Sequence, residues 1–241
     1  MSEINSSAFG AGENAGGPSK TAEQTTWGVG PWQGEWPADA GTPEEPNPDS
    51  LLDPELLLNG DTRNVLDQYR YWKMEAIIAS LDQRRHKYHV AIENWQHDLN
   101  IGSIVRTANA FLAAEVHIIG NRRWNRRGAM VTDRYQHVRH HPTVEEFVEW
   151  CKTGGENGQA LPIIAIDNVP GCKKIEEYAL PENCVLLFGQ EGPGLSEAAI
   201  ESSEVVLEIT QFGSTRSINA SAAAAITMHQ WVMQHVFGHK L

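Results

Sequence analysis

The chain has 241 residues and a formal net charge of −12, so it holds one good-sized domain with an appendage and does not bind nucleic acid through a uniformly basic surface. No apolar run reaches the ~18 residues that a membrane span needs, and the N-terminus lacks the basic-then-apolar order of a secretory signal. The three cysteines show no CxxC spacing, which argues against a disulfide framework or a cysteine zinc site and predicts a cytoplasmic protein.

The charge is distributed unevenly along the chain. Residues 1–60 contain ten acidic residues and one lysine, so the remaining residues carry a net charge of only −3. Residues 121–141, which we name the basic segment, contain six arginines and one aspartate. A cluster of His137, His140 and His141 in this segment is interpreted as part of a solvated basic face rather than as a metal site.

The N-terminal part of the chain gives no periodic apolar pattern. Residues 1–55 are rich in Gly, Pro, Ser and Glu, and we predict a disordered acidic tail, although it contains Trp27, Trp32 and Trp36. Residues 56–85 are predicted to form a helical extension, in which Val65 and Tyr69 begin the apolar face of one amphipathic helix over 62–82. The remaining residues, 86–241, form the main predicted domain.

From residue 88 onwards, apolar strands alternate with amphipathic helices. The predicted strands are 88–94, 115–120, 161–167, 184–189 and 205–209. The predicted helices are 101–112, 143–151, 195–202 and 217–237. This alternation predicts an α/β fold with a mostly parallel sheet and helices on both of its faces.

Three loops carry polar residues at or near predicted strand ends, which is the edge of a parallel sheet where ligands bind. In 97–111, Arg106 lies opposite the apolar face of its helix. In 186–196, Glu191 lies among three glycines, in a pattern that is neither a dinucleotide fingerprint nor a P-loop. In 209–226, Ser217 and Asn219 open a helix rich in alanine, which predicts close approach to another backbone.

These three loops together resemble the motifs of the SpoU-type RNA ribose 2′-O-methyltransferases of the knotted SPOUT superfamily. The first motif runs from Asn100 and Gly102 to Arg106, and the second is GQEGPGL at 189–195. The third runs from Ile209 to Ser221. The resemblance covers residues 88–237, and three motifs in order make it specific. The chain departs from the family pattern at Gln190, where Asn is usual, and at Thr210 and Gln211, where Pro and Met are usual.

The resemblance implies a C-terminal trefoil knot, a homodimer, and transfer of a methyl group from S-adenosylmethionine (SAM) to a ribose 2′-hydroxyl of tRNA or rRNA without a metal ion. The residues it assigns to catalysis are Arg106, Asn100, Glu191, Ser217 and Asn219. The residues it assigns to SAM binding are Ile166, Gly189, Ile209, Gln211 and Ser217. For an RNA substrate, the arginines of the basic segment are the residues expected to contact the RNA backbone, namely Arg122, Arg123, Arg126, Arg127, Arg134 and Arg139. Because Thr210 and Gln211 replace the usual Pro and Met in the loop assigned to the cofactor, affinity for SAM is the property that we expect to differ most from the family.

Three alternatives stay open at this point. A knotted methyltransferase of this kind can act on a base atom instead of ribose, although Ser217 and Asn219 together with Arg106 favour ribose. The chain can also be a catalytically silent RNA-binding homologue, against which the intact Arg106, Glu191 and Asn219 argue. A nucleotide-binding α/β domain unrelated to methylation is the last alternative, and no phosphate-binding motif supports it.

Overall fold

The structure, a computed structural model, describes residues 28–96, 100–154 and 158–239. The chain divides into two compact units, residues 1–73 and 74–241. Within the described residues, every helix is too short or too polar to span a membrane. Part of the predicted tail, residues 1–27, lies outside the described residues.

The first unit contains the helix α1, Pro54–Asn59, and a set of tight turns. The prediction of disorder up to residue 55 is wrong for residues 28–55, because their tryptophans make specific contacts. The ring of Trp32 meets that of Tyr71 edge-on at 5.6 Å, and Trp36 Nε1 donates a hydrogen bond of 2.7 Å to the carbonyl of Gly41. Such contacts join distant residues, so no local periodicity reveals them.

The predicted helix over 62–82 is also wrong in its first half. The structure has a 3₁₀ turn at Asp67–Tyr69, and an α-helix only at Met74–Asp82, which is α2 in the second unit. The backbone at Tyr71 is left-handed, with φ at 61°, which interrupts a helix. Asp61 holds this conformation, because its fully buried carboxylate accepts hydrogen bonds from Arg63 Nη2 at 2.7 Å and from the backbone N–H of Tyr71 at 3.0 Å.

The second unit is built on a seven-stranded sheet in which every pairing is parallel. The strands in chain order are β1 His89–Asn94, β2 Val116–Gly120, β3 Val138–His141, β4 Ile163–Ile166, β5 Lys173–Lys174, β6 Val185–Phe188 and β7 Val205–Glu208. Their order across the sheet is β3-β2-β1-β6-β4-β7-β5. The chain extends the sheet from β1 towards β3 and then returns to the other side of β1, so β1 and β6 are neighbours at the point where the order reverses.

Helices cover both faces of this sheet, as predicted. The remaining helices are α3 Asn100–Ala110, α4 Val144–Thr153, α5 Glu197–Glu201 and α6 Ala220–His235. On one face α3 and α6 share an apolar core with strands β1, β2, β4 and β6, and on the other face α4 and α5 share a second core. α6 packs against α3, and Ala224 is fully buried, which agrees with the close approach that the alanines predict.

Two strands of the sheet were missed by the sequence patterns. The edge strand β5 has only two residues, and β3 lies inside the basic segment, where polar residues hide its alternation. The rest of that segment forms 3₁₀ turns at Arg126–Ala129 and Thr132–Arg134. The predicted trefoil knot stays a prediction.

Candidate active site

The three motif loops converge at the carboxyl edge of the sheet, because the strands that precede them are β1, β6 and β7. Three of the predicted catalytic side chains meet there in a closed set of hydrogen bonds. Glu191 Oε2 accepts from Asn100 Nδ2 at 2.5 Å and from Asn219 Nδ2 at 2.8 Å. Asn219 Nδ2 also donates to Asn100 Oδ1 at 2.9 Å. We name these three residues the polar triad.

Asn219 connects the polar triad to the start of α6. Its Oδ1 accepts from the backbone N–H groups of Ser221 at 3.0 Å and Ala222 at 3.4 Å, which makes Asn219 the N-cap of α6. The predicted helix start at Ser217 is therefore three residues before the observed start at Ala220. Because the amide oxygen is held by the helix, the amide nitrogen is turned towards Glu191 and Asn100.

Arg106 and Ser217 are not joined to the polar triad. Both side chains are exposed, and neither makes a hydrogen bond with a residue in the described ranges. Arg106 lies on α3, whose buried face includes Ile104 and Val105, so its guanidinium is directed away from the core as the helical periodicity predicts. Its five N–H donors are therefore available to a ligand.

A cavity of about 470 Å³ lies beside the polar triad. Its wall contains all of the residues predicted to bind SAM, namely Ile166, Gly189, Ile209, Gln211 and Ser217. Ala220 and Ala223 also form part of the wall, so the small residues of α6 leave the space that the cavity occupies. The carboxylates of Asp167, Glu191 and Glu208 line it together with the guanidinium of Arg216, which gives an acidic lining.

The loop after β6 is folded tightly on itself at one side of this cavity. A Cβ on Gly189 would lie 2.3 Å from the carbonyl carbon of Gly194. Gly194 has φ at +72°, and a Cβ on it would lie 2.6 Å from Asp167 Oδ2, which accepts a hydrogen bond from the backbone N–H of Leu195 at 2.9 Å. Both positions therefore require glycine, and Asp167 positions the loop.

Glu93 is the most important residue near the site that the sequence patterns did not identify. It is fully buried in β1. Its Oε1 accepts from Trp95 Nε1 at 2.9 Å and from Ser196 Oγ at 2.7 Å, and its Oε2 accepts from the backbone N–H of Ser196 at 2.7 Å. It therefore ties the end of β1 to the end of the loop that carries Glu191. The sequence did contain one signal that could have identified Glu93, namely an acidic residue near the carboxyl end of an apolar strand.

The departures from the family motifs have structural partners. Gln190 Oε1 accepts from the backbone N–H groups of Trp95 at 2.9 Å and Gln96 at 2.7 Å, so its side chain ties its loop to the segment after β1. Thr210 donates from its backbone N–H and from its hydroxyl to the carboxylate of Glu176, both at 3.0 Å. A proline at residue 210 could not make the first of these bonds.

The basic segment lies directly against the start of α3. A Cβ on Gly102 would lie 2.8 Å from the backbone nitrogen of Ala129, and one on Gly128 would lie 2.9 Å from the backbone nitrogen of Ser103. Two glycines thus permit backbone contact between the segment and the helix that carries Asn100 and Arg106.

The six predicted RNA-binding arginines differ in their surroundings. Arg122, Arg123, Arg126, Arg127 and Arg134 are exposed. Arg139 is half-buried in β3, where its Nε lies 3.0 Å from Glu115 Oε1 and its guanidinium lies 5.6 Å from the ring centre of Trp150. Arg139 is thus engaged within the protein, and the exposed five lie in the 3₁₀ turns or just before them.

The prediction of a solvated histidine face is wrong for His141, which is buried. His89, His117 and His141 form a ladder across β1, β2 and β3, with ring nitrogens 3.1 Å and 3.0 Å apart. Burial lowers the pKa of His89 and of His141 to about 4 and holds that of His117 well below its usual value, so the three rings are neutral at pH 7. Ligand-capable atoms of His89, Glu115 and His117 lie within 4.8 Å of one another, but Glu115 pairs with Arg139.

Comparison with known proteins finds a family model and several relatives. The model of the SpoU rRNA Methylase family matches residues 87–229. The tRNA (guanosine(18)-2′-O)-methyltransferase of Escherichia coli (strain K12) is 29% identical over 157 residues, which are 64% of this chain and 66% of that protein. The match therefore spans just under two thirds of that relative. The tRNA (cytidine(34)-2′-O)-methyltransferase of Ancylobacter novellus is 28% identical over 142 residues, 56% of this chain and 85% of that protein.

Comparison with solved structures finds the same fold. The SpoU methyltransferase AviRb from Streptomyces viridochromogenes, in complex with the cofactor AdoMet, superposes with a TM-score of 0.58 at 23% identity, over 66% of this chain and 62% of that chain. The TrmH/SpoU tRNA modifying enzyme of A. aeolicus superposes with a TM-score of 0.59 at 19% identity, over 68% of this chain and 83% of that chain.

Proposed function

Because the chain belongs to the SpoU rRNA methylase family, we propose that it is a SAM-dependent methyltransferase acting on a ribose 2′-hydroxyl of structured RNA, tRNA or rRNA. The observation that carries the proposal is the polar triad of Asn100, Glu191 and Asn219 at the edge of the acidic cavity. A homodimer, a cytoplasmic location and the absence of a metal requirement belong to the same proposal.

The cavity fits SAM in size and in chemistry. Its volume of about 470 Å³ lies in the range that holds cofactors. The carboxylates of Asp167, Glu191 and Glu208 outnumber the guanidinium of Arg216 in its lining, which suits a ligand that carries a sulfonium and an ammonium group. The same lining disfavours a nucleotide with several phosphates, and so weighs against the unrelated nucleotide-binding alternative. When bound, SAM supplies an electrophilic methyl group.

The chain's own residues then have to align the RNA and stabilise charge on the ribose oxygen. The guanidinium of Arg106 is suited to stabilise the negative charge that develops on the 2′-oxygen as its proton passes to water, and to bind the adjacent phosphate. Glu191 carries the negative charge of the polar triad and fixes both amides, which can then orient the ribose hydroxyls. Ser217 lies on the cavity wall, and its hydroxyl makes no hydrogen bond with any described residue. It can therefore serve as a further contact for the ribose.

Substrate binding falls to the exposed arginines of the basic segment. They lie beside α3 because Gly102 and Gly128 allow backbone contact, so RNA held by the segment reaches the helix of Arg106. The two curated relatives named above act on tRNA, which favours tRNA over rRNA as the substrate. Methylation of a base atom remains the second candidate within the same fold, and nuclease digestion with mass spectrometry distinguishes the two products.

The test uses Arg106→Ala. We expect the variant to keep SAM binding, measured by isothermal titration calorimetry, and to lose methyl transfer from labelled SAM to total RNA, because Arg106 lies outside the cavity wall. The control is Lys152→Ala, which removes an exposed positive charge from α4 on the opposite face of the sheet. Near-normal turnover in Arg106→Ala contradicts the assignment of Arg106, and absence of SAM binding to the unmodified protein contradicts the proposed function. A silent RNA-binding homologue would bind RNA without methyl transfer.

A further inference from the structure

A second cavity, of about 340 Å³, lies within the second unit and away from the cofactor cavity. Ile118 of β2 and Val138 of β3 contribute to its lining, and the basic segment contributes Arg122, Trp124, Arg126 and Asp133. Trp124 is half-buried and packs against the core shared by α3 and α6. This places an aromatic ring, a carboxylate and two arginines around a space large enough for one purine base.

Asp133 is the residue that gives this cavity chemical selectivity. Its side chain is only 11% exposed, and its one ion pair among the described residues is with Arg126 at 3.4 Å. Arg126 is itself 73% exposed, so it satisfies the carboxylate weakly. A carboxylate can accept about four hydrogen bonds, and most of this capacity is unused within the described chain.

The other polar side chains of the cavity are already engaged. Gln136 accepts from Arg85 Nη1 at 2.7 Å and donates to the carbonyl of Ala113 at 3.1 Å, and His140 Nε2 lies 2.7 Å from the carbonyl of Gly120. Arg122 is exposed and makes no hydrogen bond with a residue in the described ranges. Recognition of a ligand in this cavity is therefore left to Asp133, Arg122 and the ring of Trp124. The guanidinium of Arg126 lies 5.5 Å from the centre of that ring, and because Arg126 is exposed, a stacking base can displace it.

Among the four bases, guanine matches this set. It presents two neighbouring donors, N1–H and the N2 amino group, to one carboxylate, and its O6 and N7 are the acceptors that arginine prefers. Adenine and cytosine place a ring acceptor beside their amino group, and uracil flanks its single N–H with two carbonyl oxygens, so each would direct an acceptor at the carboxylate. Because the guanine edge used here is the Watson–Crick edge, the base has to be unpaired, which also allows it to stack on Trp124.

We propose that this cavity binds an unpaired guanine base of the RNA substrate, with Asp133 accepting from N1–H and N2, and Trp124 stacking on the ring. This rests on the proposed function in that the ligand is RNA. It goes beyond it by giving the protein a base-reading subsite distinct from the ribose site. Asp133 is a specificity-determining residue in this arrangement, and it takes no part in methyl transfer.

The test measures binding of short RNAs without SAM, by fluorescence anisotropy. The probes are the labelled tetranucleotides UGUU, UIUU and UAUU, where inosine (I) lacks only the N2 amino group of guanine. A hydrogen bond to a charged acceptor is typically worth about a tenfold change in affinity. We therefore expect UGUU to bind about tenfold more tightly than UIUU, and UAUU to bind more weakly still.

Three variants assign this preference to the cavity. In Asp133→Asn the amide offers one acceptor and one donor, so the difference between UGUU and UAUU should fall about tenfold. Trp124→Leu removes the stacking surface and should weaken all three probes together. Glu149→Gln removes the same charge from an exposed position on α4 and should keep the preference. Equal affinity of the unmodified protein for the three probes, or a preference that survives in Asp133→Asn, overturns the proposal.

The outcome is separable from that of the proposed function. A guanine preference in a protein without methyl transfer would refute the methyltransferase proposal and leave the subsite standing as an RNA-binding feature. Methyl transfer without any guanine preference would refute the subsite alone.

Discussion

The contact between Glu93 and Ser196 allows a quantitative prediction. Glu93→Gln keeps the shape of a fully buried side chain but replaces one carboxylate oxygen by an amide N–H₂. If the nitrogen takes the place of Oε2, it faces the backbone N–H of Ser196, and if it takes the place of Oε1, it faces Trp95 Nε1. In either orientation a buried donor loses its charged acceptor, because only the serine hydroxyl can reverse its role.

The size of the loss follows from these contacts. A hydrogen bond to a charged group contributes about 1.5–3 kcal/mol, and a buried donor left without an acceptor costs about 1–3 kcal/mol. Both ranges include part of the cost of the same lost hydrogen bond, so they cannot be added in full. We therefore expect Glu93→Gln to lower the free energy of unfolding by about 2–4 kcal/mol. Since Glu93 ties down the loop that carries Glu191 and part of the cofactor cavity, affinity for SAM should fall as well.

Urea unfolding followed by circular dichroism measures the change in stability, and calorimetry measures SAM affinity. The control is Glu201→Gln, which makes the same chemical change at an exposed position on α5 and should alter stability by less than about 0.5 kcal/mol. A loss in Glu93→Gln no larger than that of the control would refute the reasoning. Unchanged SAM affinity despite lowered stability would refute the link between Glu93 and the cavity.

Two further predictions concern the basic segment and the histidine ladder. Gly102→Ala places a Cβ 2.8 Å from the backbone nitrogen of Ala129, so it should lower the free energy of unfolding in urea by about 1–3 kcal/mol. The control Gly213→Ala has open space around the new Cβ and should change stability little. Equal effects of the two substitutions would contradict this prediction. Burial lowers the pKa of His89 from 6.5 to about 4, so the unfolded chain takes up a proton that the folded protein does not. The neutral, buried His89 therefore adds to the free energy of unfolding above about pH 6.5, and this contribution is lost as the pH falls towards 4. At pH 5, His89 alone should lower the free energy of unfolding by about 2 kcal/mol. Urea unfolding at pH 7 and pH 5 tests it, and equal or greater stability at pH 5 would be the contrary result.

Local patterns in the chain predicted the framework of the second unit, and the resemblance to the family supplied Asn100, Glu191 and Asn219. Parallel strands bring their carboxyl ends to one edge, so the loops after β1, β6 and β7 share that edge. The contact among the three side chains is visible only in the structure, because β4 lies between β6 and β7. The first unit could not be predicted in this way. Its order comes from single long-range bonds such as those of Asp61 and Trp36, which leave no period in the sequence. β3 was hidden because an edge strand with polar residues lacks the apolar run that identifies buried strands.

Glu93, which the sequence patterns missed, shares one physical property with Gln190 and Thr210, which they marked only as departures from the family: each fixes a loop to another part of the fold. Glu93 and Gln190 connect the loop after β6 to the end of β1, and Thr210 connects the loop after β7 to Glu176. Gln190 and Thr210 occupy positions where the chain departs from its family. The shorter Asn that is usual at 190 would have to reach the same backbone N–H groups with a different geometry, and the Pro that is usual at 210 has no backbone N–H to donate. The positions of the triad atoms depend on how these loops are held, because each member comes from a different loop. The geometry at the site is therefore a property of these supporting bonds as much as of the motif residues, and substitutions at Gln190 or Thr210 act on the site through loop position.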